Sequence, residues 1–248
     1  MAWRSSGATN AELITNLQQN GLITSDRVKT AMLKVTYQPS SHPTTPLPTL
    51  PPYQLTPKPK VDRAHFAPRS PYNDNPQPIG HSATISAPHM HASACETLLT
   101  YLQPGARVLD IGSGSGYLTA VLAHLVSPGG SVVGIEHIQP LNDMATANFR
   151  KSESGREMLE SGCVRFVTGD GRKGWGESAP YDAIHVGAAA AEFHEMLTEQ
   201  LKGPGRLFVP VEEGGRQHIY VIDKREDGTL ERKKMYGVQY VPLTDAPK

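Results

Sequence analysis

Three glycines, Gly112, Gly114 and Gly116, alternate with serines directly after the apolar run Arg107–Ile111, and an acid, Asp110, stands two residues before the first of them. A glycine-rich turn lets a ligand approach the main chain. Placed between a strand and a helix, it lies where doubly wound sheets bind nucleotides. Two details narrow the ligand. A dinucleotide fingerprint needs glycine at its first, third and sixth positions, and here the sixth is Tyr117. A carboxylate at Asp110 would repel a pyrophosphate but attract a cation. S-Adenosyl-L-methionine, which carries an ammonium and a sulfonium, suits both details, and NAD suits neither.

A second acid supports this reading. The run Ser131–Glu136 ends in Glu136, 24 residues after Gly112, with His137 next to it. An acid about 20 residues on, at the tip of the second strand, can accept both ribose hydroxyls of an adenosine. Gly169 and Asp170 follow the next apolar run, where an acid or a backbone group reaches an adenine amino group. His89 and His91 are two residues apart without a third ligand nearby, so no metal is expected. Cys95 and Cys163 form no CxxC pair, as befits two reduced thiols.

These residues need a sheet to hold them. From Ala94 onward, apolar runs of strand length alternate with helical periodicity. Helices are expected at 94–102, 117–125, 140–150 and 192–201, and strands at 107–111, 131–136, 164–168, 181–186 and 206–211. Such alternation predicts an α/β fold: a doubly wound, mostly parallel, Rossmann-like sheet. Segments 218–224 and 232–241 flank Asp227-Gly228, a hairpin signal that predicts an antiparallel C-terminal strand pair. Ahead of the sheet, N-terminal helices are expected: one capped by Thr9 or Asn10 and stopped by Gly21, the other spanning Thr24 to Leu33.

The interposed segment is different in kind. Eight of the 21 prolines lie between Pro39 and Pro59, among serines and threonines. Proline lacks a backbone donor and blocks helix, so residues 35–60 are read as a disordered, Pro-rich insertion. The expected organisation is a helical part at 1–34, the insertion, and a methyltransferase domain at 61–248. Lys plus Arg and Asp plus Glu both number 24, which argues against a nucleic-acid-coating protein. The N-terminus lacks the apolar run of a signal peptide, and no segment approaches ~18 consecutive apolar residues. A cytoplasmic monomer without a membrane or nucleic-acid partner is the expectation.

The segment Ile79–Ala92, with Ala83-Thr84-Ile85-Ser86-Ala87-Pro88-His89-Met90-His91 at its centre, narrows the class. Together with the opening Met1-Ala-Trp-Arg4, the stretch 181–190 and the ending 240–245, it resembles the protein-L-isoaspartate (D-aspartate) O-methyltransferase family. The resemblance covers the chain except for residues 35–60. It implies a class I methyltransferase sheet with its last two strands ordered differently from the usual. It also implies the reaction: S-adenosyl-L-methionine methylates the misplaced carboxylate of isoaspartyl residues in damaged proteins and peptides. The ester then closes to a succinimide, and hydrolysis returns some normal aspartate.

On this resemblance Ser86 is the active-site serine: its hydroxyl, with the backbone N–H groups of Ala83 to Ser86, orients the incoming carboxylate, and Ala83, Thr84, Ile85 and Ser86 are also expected to contact the cofactor. His91 lies near the cofactor, and Gly237–Thr244 folds over the site with Thr244 near the cofactor. Relatives often continue past the equivalent of Lys248 with further polar contacts, which are not expected here. Family chains run straight from the second helix to an Asp-Arg-x-x-(Phe/Tyr) segment, here Asp62 to Phe66. Valine codons begin GT and one lysine codon ends in AG, so Val35 and Lys60 fit the two ends of an unspliced intron. Two alternatives stand beside the repair reading: a methyltransferase of the same fold acting on a small molecule, and a cofactor-binding protein inactivated by the insertion.

Overall fold

The computed structural model describes residues 2–33 and 62–243. The expectations for residues 35–60 and for Thr244 lie outside the described residues. Helix α1 (Asn10–Gln19) begins where Thr9 Oγ1 accepts from Glu12 N, and the Glu12 carboxylate reaches back to Ala8 N. This is close to a capping box, which satisfies otherwise orphaned amides. Helix α2 (Asp26–Leu33) follows, with Ser25 Oγ accepting from Arg27 N. Leu13, Ile14 and Leu17 of α1 pack with Val28, Ala31 and Met32 of α2 in one apolar cluster.

Strands β1 (Gln77–Gly80) and β2 (Ala83–Ile85) form a small antiparallel sheet. Helix α3 (Pro88–Leu98) comes next, then β3 (Arg107–Ile111), α4 (Tyr117–Val126), β4 (Ser131–Glu136), α5 (Gln139–Phe149), α6 (Glu153–Glu160) and β5 (Val164–Thr168). The chain continues through β6 (Tyr181–Val186), α7 (Glu195–Glu199), β7 (Leu201–Glu213), β8 (Arg216–Lys224) and β9 (Leu230–Val238). The main sheet has the order β5-β4-β3-β6-β7-β8-β9. β3 to β7 pair in parallel, whereas β8 and β9 pair antiparallel, each with its predecessor. This is the expected doubly wound sheet with an antiparallel C-terminal edge, whose last strands lie in chain order because tight turns join them.

Strand alternation divides the core. Val108 and Ala183 face the cluster built with α1 to α5, while Leu109, Ile111, Ile184 and Val186 face the cluster with α7. Asp110 and His185 lie on the α4 side of the sheet, where period-two alternation puts them. They are register partners across β3 and β6. Helix α4 is buried along its whole length, which is why its sequence reads as nearly continuous apolar residues.

The boundaries differ most from expectation in four places. Helix α3 starts at Pro88 rather than Ala94, because proline tolerates the first helical position, and a 3-10 turn over Leu99–Tyr101 completes it. The helix expected at 192–201 shrinks to Glu195–Glu199. The Ala190 backbone is claimed by tertiary bonds to Pro210 and Glu212, and Gln200 O accepts from Tyr181 N. The strand expected at 206–211 runs from Leu201 to Glu213, since Gly214 and Gly215, both at positive φ, turn it directly into β8. The last strand leaves the sheet after Val238.

Candidate active site

The main sheet supplies one wall of the site. After Ile111 the glycine loop turns at Gly112, Gly114 and Gly116, with φ of 75°, 52° and 86°, values that favour glycine. Gly112 N and Ser113 N both donate to Ile135 O of β4, and Gly114 N donates to Glu136 Oε2 at 3.1 Å. The loop is therefore tied to the second strand at the point where that strand ends in an acid.

The small β1–β2 sheet supplies the opposite wall. His81 and Ser82 join its strands with φ of 50° and 58°, as a two-residue turn of the I′ kind requires. The chain then runs through Ala83, Thr84, Ile85 and Ser86 into α3, which begins at Pro88. The third wall is the closing segment. Leu243 N donates to Ala189 O at 2.7 Å and Ala189 N to Val241 O at 2.8 Å, so residues 241–243 lie along the end of β6.

Two adjoining chambers result. The outer one, about 440 Å³, is lined by Ala83, Thr84, Gly112, Gly114, Glu136, His137 and Gly169, with apolar Ile111, Ile135, Ile138, Leu141 and Leu243. Its volume falls in the usual range for small-molecule sites. The inner one is a slot of about 40 Å³ lined by Thr84, Ile85, Ser86, His91, Asp110, Gly112, Gly114, Tyr117 and His185.

Most of the residues expected from the sequence thus meet at one cleft. Ala83, Thr84, Ile85, Ser86, His91, Asp110, Gly112, Gly114, Glu136, His137 and Gly169 line one chamber or both. Gly116 lies behind the loop: a Cβ there would stand 3.1–3.2 Å from Phe166, Ala145 and Phe149, so its bareness lets the start of α4 pack against α5 and β5. Asp170 is not among the lining residues of either chamber. Its carboxylate accepts from Arg172 N, Nε and Nη2, and this pairing holds its pKa below the usual carboxylate value. His89 donates its backbone N–H to Asp74 Oδ1 and sets its ring nitrogen 2.8 Å from the same oxygen, fastening the first turn of α3.

The two site acids are already partly engaged. Asp110, 1% exposed, accepts from Thr119 Oγ1 at 2.6 Å on one oxygen and lies 2.8 Å from His185 Nδ1 on the other. Glu136 accepts from Gly114, His137 and Ile138 backbone amides. A carboxylate offers about four lone-pair sites, so Glu136 has room for one further donor rather than two without rearrangement. Burial, with nearby Arg63 adding to it, lowers the His91 pKa well below its ordinary value, so that imidazole is neutral. Burial raises the Tyr240 pKa, and the neighbouring Ser86 acts in the opposite direction. Tyr240, His185 and Arg63 stood outside the sequence-based site. Only the resemblance of the stretches that contain them marked their neighbourhoods.

The residues present suit an adenosyl group: a mostly apolar outer chamber for a flat base, a fixed carboxylate beside it for a hydroxyl, and a buried acid in the inner slot for a cation. Sheet order, glycine loop and paired acids together define a methyltransferase domain of Rossmann-like type. A family model described as protein-L-isoaspartate (D-aspartate) O-methyltransferase matches residues 55–248. A Caenorhabditis elegans protein-L-isoaspartate O-methyltransferase is 45% identical over 244 residues, covering 98% of this chain and 96% of that one. A Triticum aestivum protein of the same name is 52% identical over 186 residues, covering 74% and 80%. Among solved structures, a Plasmodium falciparum chain assigned to the same enzyme, in complex with S-adenosyl-L-homocysteine, superposes with a TM-score of 0.80 at 29% identity, covering 97% of this chain and all of that one. The chain belongs to the protein-L-isoaspartate (D-aspartate) O-methyltransferase family.

Proposed function

We propose that the cleft binds S-adenosyl-L-methionine and directs its methyl group to the free carboxylate of L-isoaspartyl residues in damaged proteins and peptides, the first step of their return to aspartyl. The observation that carries this reading is family membership across residues 55–248, joined to a cleft whose inner slot sets Ser86 opposite Asp110. The bound cofactor supplies an electrophilic methyl carbon on a sulfonium.

The chain's own task is positional. A carboxylate has a pKa of about 4 and is ionised at neutral pH, so no general base is required. Asp110 offers negative charge to the cationic end of the cofactor from a buried site where water screens little. Glu136 accepts a ribose hydroxyl. The Ser86 hydroxyl and the amides of Ala83 to Ser86 orient the incoming carboxylate, with Tyr240 beside Ser86. Holding both partners in line and dry can lower a barrier by several kcal/mol, up to roughly 7–11 in well-oriented model reactions. A nucleophilic serine is not needed, and the sequence around Ser86 has no hydrolase elbow. The same reading has the protein act as a cytoplasmic monomer, with neither nucleic acid nor membrane as a partner. No helix among the described residues is long and apolar enough to cross a membrane.

The deciding experiment is incubation with labelled cofactor and an isoaspartyl peptide beside its normal aspartyl twin. Transfer to the isoaspartyl peptide alone is expected. Equal or absent transfer to both would leave a small-molecule methyltransferase or an inactive binding protein as the reading.

A further inference from the structure

Arg63 is the largest fully buried side chain among the described residues, 0% exposed. It sits on a 3-10 turn (Arg63–His65) begun by Asp62, whose carboxylate accepts from Ala64 N. A buried guanidinium carries a desolvation cost unless its fork is engaged. Here the fork reaches the site from behind. Nη2 donates to Ser86 O at 2.7 Å, and Nη1 lies 3.2 Å from His91 Nδ1. The guanidinium carbon stands 4.8 Å from the centre of the Tyr117 ring, the first residue of α4 after the glycine loop.

A guanidinium has only donors. The imidazole nitrogen facing it must therefore accept, and the proton of neutral His91 must sit on Nε2. We propose that Arg63 is a positioning residue: it locks His91 as the Nε2–H tautomer and clamps the Ser86 backbone, so that one buried cation sets both a donor and the serine strap in the inner slot. This rests on the proposed function only in taking the slot's occupant to be the cofactor's charged end.

The neighbours of His91 agree with a neutral ring. Arg63 faces it from the 3-10 turn, His185 from β6 and His89 from its own helix, and the Tyr117 ring lies 5.1 Å away from α4. Asp110 lines the same slot from β3. The guanidinium itself stays charged at neutral pH, its pKa lowered by burial only to about 10. An imidazolium at His91 would repel a sulfonium across the slot, so a neutral N–H donor is the form that serves a cationic ligand.

The test reads the tautomer directly. Imidazole ¹⁵N resonances of the full chain, without added cofactor, should show His91 with a bare Nδ1 and a protonated Nε2, unchanged from pH about 8 to about 5.5. A proton on Nδ1, or titration near the ordinary value of about 6.5, would overturn the proposal. In Arg63→Gln, the His91 ring should lose its single tautomer, seen as shifted ¹⁵N resonances, and the cofactor dissociation constant measured by calorimetry should rise roughly tenfold, as for loss of one charge-assisted bond. Arg63→Lys, a compact charge without the planar fork, should restore part of this. An Arg63→Gln protein with unaltered His91 resonances and cofactor affinity would refute the role, and the wild-type spectrum decides if that variant does not fold. None of these readouts uses a peptide substrate, so an inactive isoaspartyl assay would reject the proposed function and leave this inference standing.

Discussion

At the scale of single residues, the buried acids carry the sharpest expectations. Asp110→Asn keeps an acceptor oxygen for His185, turns an amide N–H toward the Thr119 hydroxyl, which can accept it, and removes the charge. It should weaken cofactor binding about tenfold or more, roughly 1.4 kcal/mol or above, with a melting temperature near wild type. Calorimetry and thermal denaturation together check this, and unchanged affinity would refute the role given to the charge. Ser86→Ala should lower turnover on an isoaspartyl peptide more than it lowers cofactor affinity, and steady-state kinetics beside calorimetry separate the two. His91 links function to stability. Its folded pKa is depressed, so as pH falls through about 6.5 the unfolded chain takes up a proton that the folded chain refuses. Stability should therefore fall below that pH, by up to ~1.4 kcal/mol per unit for one such group. Urea unfolding at pH about 7 and about 5.5 should show a smaller loss in His91→Gln than in wild type.

At the scale of elements, the glycine loop does two separate jobs. Gly112 and Gly114 line the cleft, whereas Gly116 lets the start of α4 pack against α5 and β5. A methyl group at Gly116 would meet two phenylalanine rings in a backbone conformation that disfavours side chains. Gly116→Ala should cost about 1–3 kcal/mol of stability, seen as a lower unfolding midpoint, and its effect on cofactor affinity should be secondary. The β1–β2 hairpin shows how far a pattern carries. Its turn is His81-Ser82, not an Asn-Gly or Asp-Gly pair, so residues 77–85 offer no standard hairpin signal even though they hold the wall that carries Ser86. By contrast Asp227-Gly228 marked the β8–β9 hairpin correctly, because its turn uses the usual residues.

At the scale of the whole molecule, the described residues assemble the cleft from 62–243 with α1 and α2 packed beneath. Loop closure costs only about 0.6 kcal/mol per doubling of length. A chain lacking residues 35–60 should thus keep its cofactor affinity and its stability to within about 1 kcal/mol, as calorimetry and denaturant unfolding would show. Running the isoaspartyl assay with and without that segment tells whether it affects catalysis. Sequencing mature transcripts tests the intron idea separately: messages that uniformly encode residues 35–60 would reject it.

The alternation of apolar runs determined the parallel sheet, because strand and helix periods are local properties of the chain. The loop from Asp110 to Gly116 and the acid at Glu136 marked the cofactor wall, because a strand tip and its turn are close in sequence. What lay beyond the sequence is what depends on contacts across long separations. Asp110 meets His185 only because parallel pairing puts their strands in register. Asp170 bonds Arg172, a pairing set by local side-chain geometry that the sequence did not mark. Arg63 reaches Ser86 and His91 from another part of the chain. No periodicity marks a buried guanidinium, since its cost is offset only by partners that folding brings to it.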